Sequence, residues 1–583
     1  MKEKEGHYPY EIDGLIYLPV RLSVKGSIEG CQSKHIGGTW NENFKWKPER
    51  LNTIDFLVKI KKTMKQSKVV DEIFPIVHTN AEGVKEITEY KQLELYVGYK
   101  EEDDDTINFC MKVLDEKKRK DISLYEHKKF NFHLPEDKYD YTNIILQDGK
   151  MLCENGDEIK DNDIVELKYQ KDSEDSLHWV PLRVRSDKQK PQYVVVANNV
   201  WDTILHPITD EMIQGKKELR KMINIEKDDG KYYINNTEDC FESEKLKQLH
   251  NYVKSKLIGG ITSSFNGPIK ILDLSIGRGG DVNKFKNYSF LLGIDIASNI
   301  HEACKRFYFN KSTNKGAFIR ADTSKNIKSG EACSFDGNDE SDRKHGDTMI
   351  TILYDHKKPI PSEYNSINYR YRGLAKNGFD VVSSQFSMHY YFKNEKTLNG
   401  FVQNLKDNVN VGGYFIGTCY NGMNIFNHFL DTETEKLEYK EDTGKLVYSI
   451  EKKYEIDSFE YNSEKPENML GNVITVYMES IGQEIDEYLV NFDHFKDIME
   501  TNGFQLTIPT DIESKYSHIF RNDYFQDGLG QFRTVIERIP EIDQSDNDFG
   551  KYYSEARGMN QENSKELQLL SGFNTYFIFK KMV

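Results

Sequence analysis

The chain has 583 residues, of which 37% are hydrophobic and 30% charged, and its 79 Lys and Arg against 95 Asp and Glu give a net charge of −16. This length favours more than one domain. The sequence has neither an apolar run of about 18 residues nor a signal peptide, which disfavours a membrane span and secretion. The acidic balance argues against broad binding to duplex DNA but is compatible with a local basic groove.

The cysteines are odd in number, far apart and form no C-x-x-C pair. This pattern favours an intracellular protein with reduced, mostly structural thiols over a disulfide framework or a zinc site, and no metal is predicted. The seven are Cys31, Cys110, Cys153, Cys240, Cys304, Cys333 and Cys419.

Short apolar runs separated by turns fill the first 200 residues. The runs EIDGLIYLPVRL, FKWKPERLNTIDFLVKIK, LELYVGY, DIVELKYQ and WVPLRVRS have the composition of strands, and VVVANNVWDTILHPI then leads into a helix. The charge runs KEEDDDT and LDEKKRKD indicate solvated loops. The pattern predicts a small strand-rich region followed by a linker over 210–240.

In the second half of the chain, segments with helical spacing alternate with short apolar runs. SEKLKQLHNYVKSKLI has helical spacing, and IKILDLSIGRGGDVNKF, LLGIDIA, EACKRFYF and AFIRAD follow it. Strands alternating with helices predict a parallel α/β sheet, to which GFDVVSSQFSMHYYF, VGGYFIGTCY and TYFIFKKMV add further strands. Residues 323–361 are rich in Gly, Ser and Asp and are predicted as a surface insertion.

A glycine loop joins the first strand of this sheet to a predicted helix. Gly277 begins the run GRGG, but a dinucleotide fingerprint would need glycine where Val282 stands, and Asp281 would repel a pyrophosphate. S-adenosylmethionine has no phosphate and carries two cationic centres, so an acid there suits it better. Asp295 ends the second strand and is placed for ribose hydroxyls; Asp322 ends the third and could contact adenine. Alone, each acid could equally cap a helix.

The second half resembles the messenger RNA cap guanine-N7 methyltransferases over about 240–583. The motifs LHNYVKSKLI, DLSIGRGGD, GIDIA, SSQFSMHYYF, GGYFIGT, DEYLVNFDHF and TYFIF occur in that family's order. The resemblance implies a Rossmann-like class I methyltransferase domain over 241–583 with S-adenosylmethionine as cofactor. It assigns to that cofactor Lys254, Asp273, Ser275, Gly277, Asp281, Asp295, Asp322 and Gln385. It assigns to the cap guanosine His250, His389, Tyr390, Glu487 and Tyr576.

Methyl transfer to guanine N7 needs placement, not a base, because N7 carries an exposed lone pair. We therefore predict no catalytic acid or base. Glu487 would accept hydrogen bonds from guanine N1–H and the exocyclic amine, a contact that adenine does not offer. Ser275 stands where the family usually has glycine, and His250 where it commonly has asparagine, so we expect altered affinity within an intact fold.

The first half resembles the later motifs of the RNA capping guanylyltransferases, a nucleotidyltransferase and OB-fold superfamily. This resemblance implies a nucleotidyltransferase remnant over 1–60 and an OB-fold domain over 61–209. It implies phosphate or RNA contacts for Lys45, Lys47, Arg183, Arg185, Asp187 and Lys188. The nucleophilic lysine of a K-x-D-G motif should precede EIDGLIY. The match at 227–230 follows the OB motifs instead, so guanylylation by this chain alone is not expected.

Three functions stay open on the sequence alone. The first is a cap guanine-N7 methyltransferase of the large-DNA-virus type, as a fragment or split-gene product, acting on the capped mRNA 5′ end. An upstream capping polypeptide or an activating subunit is a candidate partner, and host cytoplasm or the virion a candidate location. The second is a methyltransferase for another substrate, and the third a noncatalytic RNA- or partner-binding remnant.

Overall fold

The computed structural model describes the chain except for residues 1–13, 19–43, 49–50, 80–84, 102–106, 116–124, 131–140, 171–176, 218–240, 311–313, 441–443, 522–524, 539–558 and 560–563. The chain divides into two compact units. The first comprises residues 1–107 and 122–224, and the second residues 108–121 and 225–583. Among the helices described, none combines the length and the apolar character needed to cross a bilayer.

The first unit is an antiparallel assembly. Its strands are β1 (Leu15–Tyr17), β2 (Phe44–Trp46), β3 (Thr53–Ile60), β4 (Lys62–Lys65), β5 (Lys68–Asp71), β6 (Ile73–Thr79), β7 (Lys85–Tyr99), β8 (Glu126–Lys129), β9 (Tyr141–Gln147), β10 (Lys150–Met151), β11 (Ile164–Tyr169) and β12 (Trp179–Val184). Helix α1 (Phe109–Asp115) lies between β7 and β8 in sequence but belongs to the second unit. Helices α2 (Val194–Leu205) and α3 (Asp210–Ile213) follow β12.

Eight of these strands form one sheet in the order β10-β9-β7-β3-β11-β12, with β6 and β8 both paired to β7. Strand β3 shows why the sheet forms, because Ile54, Phe56 and Val58 alternate toward a core that Trp201 of α2 covers. The predicted remnant over 1–60 therefore includes a strand, β3, that lies centrally in the sheet of the predicted OB-fold domain. The K-x-D-G match at 227–230 lies outside the described residues.

The second unit is built on a larger mixed sheet. Its strands are β13 (Ile269–Asp273), β14 (Tyr288–Asp295), β15 (Lys315–Arg320), β16 (Phe379–Gln385), β17 (Val409–Tyr420), β22 (Phe504–Leu506), β23 (Phe525–Gln526), β24 (Leu529–Gln531) and β25 (Asn574–Lys581). A separate antiparallel sheet holds β18 (Lys436–Lys440), β19 (Leu446–Lys452), β20 (Val473–Met478) and β21 (Glu484–Tyr488). The helices are α4 (Phe241–Ser263), α5 (Ile300–Phe309), α6 (Glu340–Leu353), α7 (Asn365–Tyr371), α8 (Glu395–Asn408), α9 (Gly422–Thr432), α10 (Phe492–Thr501), α11 (Phe532–Arg538) and α12 (Lys565–Gly572).

The large sheet has the order β15-β14-β13-β16-β17-β25-β24-β23, with β22 also paired to β25. The five strands β15 to β17 in this order run parallel, and β25 runs antiparallel to β17. This is the Rossmann-like arrangement of class I methyltransferases. The strands read as continuous apolar runs because helices cover both faces of a parallel sheet.

Three further sequence expectations differ from this structure. The helix predicted after the glycine loop is absent from the described residues, where 281–284 form turns before β14. The predicted surface insertion over 323–361 contains α6, whose Met349, Ile350 and Leu353 are buried in the main core. Cys110 and Cys304 form a disulfide although 194 positions separate them in sequence. Cys153, Cys333 and Cys419 are buried free thiols, as expected for structural cysteines.

Candidate functional site

The carboxyl ends of the parallel strands meet at one edge of the large sheet. Strand β13 ends at Asp273, β14 at Asp295 and β16 at Gln385, and Asp322 follows the end of β15. Ligands bind at this edge in open α/β sheets. The fold therefore brings four predicted cofactor residues to the edge where a ligand would lie.

The glycine loop folds tightly against this edge. Gly277 and Gly279 both have positive φ, 51° and 75°. A Cβ on Gly279 would stand 2.8 Å from the Cα of Ala303, so the loop approaches α5 more closely than any side chain would allow. The Gly277 N–H donates to Asp295 at 2.7 Å and the Ala297 N–H donates to the same carboxylate at 2.9 Å. Asp295 thus fixes both the loop and the end of its own strand.

Asp281 lies between two lysines. Its Oδ1 is 2.9 Å from Lys254 Nζ and 2.8 Å from Lys284 Nζ, and Lys284 also donates to the Gly280 carbonyl at 2.7 Å. Burial alone would raise the pKa of Asp281, but the charges and hydrogen bonds of the two lysines outweigh it and hold that pKa below its usual value. Asp281 is therefore an anion paired with two lysines.

Asp273 is nearly fully buried behind the loop. Burial first, and the charge of Asp281 second, raise the pKa of its carboxyl to about 8. The Ser275 N–H donates to it at 3.0 Å. The Ser275 hydroxyl in turn accepts from the Gln385 N–H at 3.2 Å. Ser275 therefore joins the loop to β16, a contact that the glycine typical of the family would not make.

The Gln385 and Asp322 side chains are held by local hydrogen bonds. The Gln385 amide donates to Ser383 Oγ at 3.1 Å and accepts from Thr418 Oγ1 at 3.1 Å. Asp322 accepts from the N–H and the hydroxyl of Ser324, at 3.0 and 2.7 Å. Asp322 thus caps a turn, not the helix considered for a lone acid, and its contact with adenine stays a prediction.

A buried histidine and a buried glutamate form the second part of the site. His389 Nε2 lies 3.5 Å from Glu487 Oε1, and the two residues are only 4% and 3% exposed. Among the described residues no group hydrogen-bonds either imidazole nitrogen or Glu487 Oε2. Burial lowers the pKa of His389 to about 3 and raises that of Glu487 to about 8. The 3.5 Å separation would suit an ion pair, but both pKa shifts favour the neutral forms of His389 and Glu487.

Several of the predicted site residues contact aromatic side chains. The Tyr390 ring centroid is 4.1 Å from that of His389. His250 stacks on Phe386 at 4.9 Å, and its Nε2 lies 3.0 Å from Ser571 Oγ. Phe386 has a φ of 53°, a strained value for an aromatic residue, and Lys254 Nζ lies 5.7 Å above its ring.

Tyr576 lies deeper than its predicted role suggests. It is fully buried, its hydroxyl donates to the Ile519 carbonyl at 2.8 Å and its ring stacks on Phe525. Sequence reasoning missed Phe386 and Lys284. Both are close in sequence to predicted residues, since Phe386 directly follows Gln385 and Lys284 follows Asp281 by three positions.

The cationic motif of the first unit is internally neutralised. Arg185 contacts Asp55 and Asp187 at 3.1 and 2.8 Å, and Lys188 also pairs with Asp55. Arg183 pairs with Glu166 at 2.6 Å. Three cations thus face three carboxylates, and Asp55 is only 5% exposed.

Lys45 and Lys47 lie apart from this cluster. Lys45 is on β2 and Lys47 directly after it, and both are exposed. Their phosphate or RNA contact stays a prediction.

Comparison with known proteins identifies two regions of similarity. The model of the mRNA (guanine-N(7))-methyltransferase domain matches residues 235–581, more than half of the chain, and that of the mRNA capping enzyme C-terminal domain matches residues 51–214. A probable mRNA-capping enzyme of Acanthamoeba polyphaga mimivirus is 25% identical over 98% of this chain and 46% of its own length. The mRNA cap guanine-N(7) methyltransferases of Candida albicans and Debaryomyces hansenii are 26% and 27% identical, over 53% and 58% of this chain and 60% and 58% of their own lengths. The chain thus spans about half the length of these relatives.

Proposed function

The chain belongs to the mRNA (guanine-N7)-methyltransferase family, and from this premise we propose that it transfers a methyl group from S-adenosylmethionine to N7 of the cap guanine of mRNA. The observation that carries the proposal is the buried pair of His389 and Glu487, in which both imidazole nitrogens and Glu487 Oε2 lack a hydrogen-bond partner among the described residues. Burying such groups is unfavourable unless a ligand satisfies them. Guanine offers the required donors through N1–H and its exocyclic amine.

The residues at the sheet edge fit S-adenosylmethionine. Each carboxylate oxygen of Asp295 accepts one hydrogen bond from a backbone N–H. The remaining lone pairs can accept hydrogen bonds from two ribose hydroxyls. Lys254, Lys284 and Asp281 together carry one net positive charge, which suits the carboxylate of the methionine part. The cofactor, when bound, supplies the electrophilic methyl group.

The remaining chemistry is positioning. Guanine N7 needs no deprotonation before it accepts a methyl group, so the protein gains rate by holding N7 in line with the methyl donor and excluding water. Glu487 would orient the base through its Watson–Crick edge, which is opposite N7. The ionised carboxylate would also favour the positive charge that the methylated base acquires.

The substrate requires an earlier reaction that joins guanylate to the RNA 5′ end. We propose that another active site, on an upstream capping polypeptide, carries it out, and that the first unit serves RNA handling. The neutralised cluster of Arg183, Arg185 and Lys188 supports a stabilising role for that motif in the sheet. The proposed setting is the cytoplasm of an infected cell or the virion, in line with the similarity to the mimivirus protein.

The test is methyl transfer from labelled S-adenosylmethionine to GpppA-capped RNA, with triphosphate-ended RNA and GTP as parallel acceptors. We expect label at guanine N7 on capped RNA only. Asp295→Ala should lose cofactor binding, whereas Glu487→Gln should keep cofactor binding and lose cap binding. Label on another atom or acceptor, or equal loss of both affinities in Glu487→Gln, would contradict the proposed function.

A further inference from the structure

A segment from the loop between β7 and β8 is part of the methyltransferase unit. Its helix α1 buries Phe109, Cys110, Val113 and Leu114, and Leu114 joins the main core of that unit. We call residues 108–115 the strap. The matched methyltransferase region begins at residue 235, so the strap is an addition to that domain from far upstream in the chain.

Specific contacts anchor both ends of the strap. Near its start, Asn108 Oδ1 accepts from the Met111 N–H at 3.1 Å, and the Phe109 ring packs 5.6 Å from that of Tyr308 on α5. At its end, the Arg370 guanidinium donates to the Leu114 and Asp115 carbonyls, both at 2.7 Å. These are the carbonyls that a helix end leaves without partners. The strap is therefore a docked element with its own cap.

A disulfide ties the middle of the strap to α5. Cys110 bonds to Cys304, and Cys110 Sγ also lies 3.6 Å from Nδ1 of His301, one turn earlier on α5. Cys110 is 6% exposed and Cys304 fully buried. Hydrogen bonding and charge from Asp342 raise the pKa of His301, which favours an imidazolium beside the sulfur.

A series of polar contacts leads from the disulfide to the loop that follows Asp295. His301 Nε2 lies 3.5 Å from Asp342, which lies 3.7 Å from Arg320 Nη1. The Arg320 Nε–H donates to the Ile296 carbonyl at 3.0 Å. Ile296 directly follows Asp295, the acid proposed to hold the ribose. Helix α5 also packs closely against the glycine loop, because a Cβ on Gly279 would lie 2.8 Å from the Cα of Ala303.

We propose that the strap is a redox-controlled positioning element for the cofactor site, with the Cys110–Cys304 disulfide locking α5 and, through Asp342 and Arg320, the loop after Asp295. This inference rests on the proposed cofactor site. Arg320 acts as a positioning residue because it reaches the cofactor only through the Ile296 backbone. Locking α5 in place removes an ordering cost that the reduced protein would meet on binding cofactor.

Opening the lock is a two-electron reduction by a dithiol. A thiolate of the reductant attacks Cys110 Sγ, the more exposed sulfur, and the Cys304 sulfur leaves and is protonated. The second thiolate of the reductant then displaces Cys110, which is released as a thiolate beside His301 and takes up the second proton. The reductant becomes a cyclic disulfide, and closing the lock reverses both steps with a disulfide oxidant such as oxidised glutathione.

The test compares the oxidised and the dithiothreitol-reduced full-length protein. Peptide mapping without reduction should yield a peptide pair linked through Cys110 and Cys304 in the oxidised form. Titration with S-adenosylhomocysteine should then give an affinity about fivefold weaker in the reduced form, at the low end of measured coupling between sites. Cys304→Ser should show the weaker affinity in both conditions, and Cys153→Ala in the first unit should keep the redox response.

Arg320→Gln separates coupling from simple stabilisation. It should keep the disulfide but bring the ratio of oxidised to reduced affinity close to one. A linked peptide with equal affinities in the wild-type protein would overturn the inference, as would the absence of the linked peptide after oxidation. If neither form binds S-adenosylhomocysteine although the peptide is linked, the proposed cofactor site itself is wrong and the inference falls with it.

Discussion

The proposed contact between Glu487 and the cap guanine predicts that cap binding strengthens as the pH rises. Burial raises the pKa of this carboxyl to about 8 in the free protein, so it is neutral at low pH and ionises as the pH rises through 8. Guanine presents two donors on its Watson–Crick edge, and only the ionised form accepts from both with both oxygens. Binding of the cap is therefore coupled to release of a proton.

The size of the effect follows from the fraction of protein that is competent to bind. With a pKa of about 8, about one tenth of the protein is ionised at pH 7 and about one hundredth at pH 6. With this pKa of about 8, the dissociation constant for the cap should fall about ninefold between pH 6 and 7, about fivefold between pH 7 and 8, and at most about twofold more above pH 8. Each tenfold step corresponds to about 1.4 kcal/mol of binding free energy.

The assay is an equilibrium titration with unmethylated GpppA at fixed ionic strength between pH 6 and 8.5. His389 does not titrate in this range because burial lowers its pKa to about 3. Glu487→Gln is the matched control, since it keeps the side-chain shape but has no charge to gain; its affinity should be weak and independent of pH. A wild-type affinity that stays constant, or that weakens as the pH rises, would refute the assignment of Glu487 to the guanine edge.

Three further outcomes are expected. Asp295→Ala should weaken S-adenosylhomocysteine binding by at least about tenfold, because hydrogen bonds to a charged group are lost, while GpppA affinity measured in parallel stays within experimental scatter. Gly279→Ala should lower the free energy of unfolding by about 1–3 kcal/mol through strain at positive φ and contact with α5; an unchanged urea midpoint would contradict the close approach seen here. Arg185→Ala should destabilise the first unit by about 1.5–3 kcal/mol by removing one of the two cations that pair with buried Asp55, whereas Arg183→Ala, at the exposed end of the cluster, should lose less than about 1 kcal/mol.

The parallel sheet could be predicted from the sequence because its strands are continuous apolar runs that end in acids. Asp273 and Asp295 close β13 and β14 as the pattern indicates. The electrostatics around Asp281 could not be read in the same way. Lys254 stands 27 positions earlier, and local sequence does not show that a helix preceding the sheet brings its ammonium to the loop. The local sequence therefore shows the acid but not its pairing with the two lysines.

Contacts between distant parts of the chain account for the remaining differences. Strand β3 joins the sheet through pairing with β11, more than 100 positions later, so no local signal marks it as part of that sheet. The sequence of the segment that contains α1 suggests a polar loop because charge runs flank its few apolar residues. Four of those residues are buried in the structure. These apolar residues become buried partly by contact with α5, which lies far downstream in the sequence.

The strap also constrains the order of events during synthesis. Cys304 follows Cys110 by 194 residues, which at about 5–20 residues per second takes roughly 10–40 s to translate. Throughout that interval the apolar side of α1 has no surface to dock on, while the strands on either side of it can already pair. The strands of the first unit can therefore pair before the strap has a surface to dock on, and the core of the second unit includes a piece of chain made well before its own first strand.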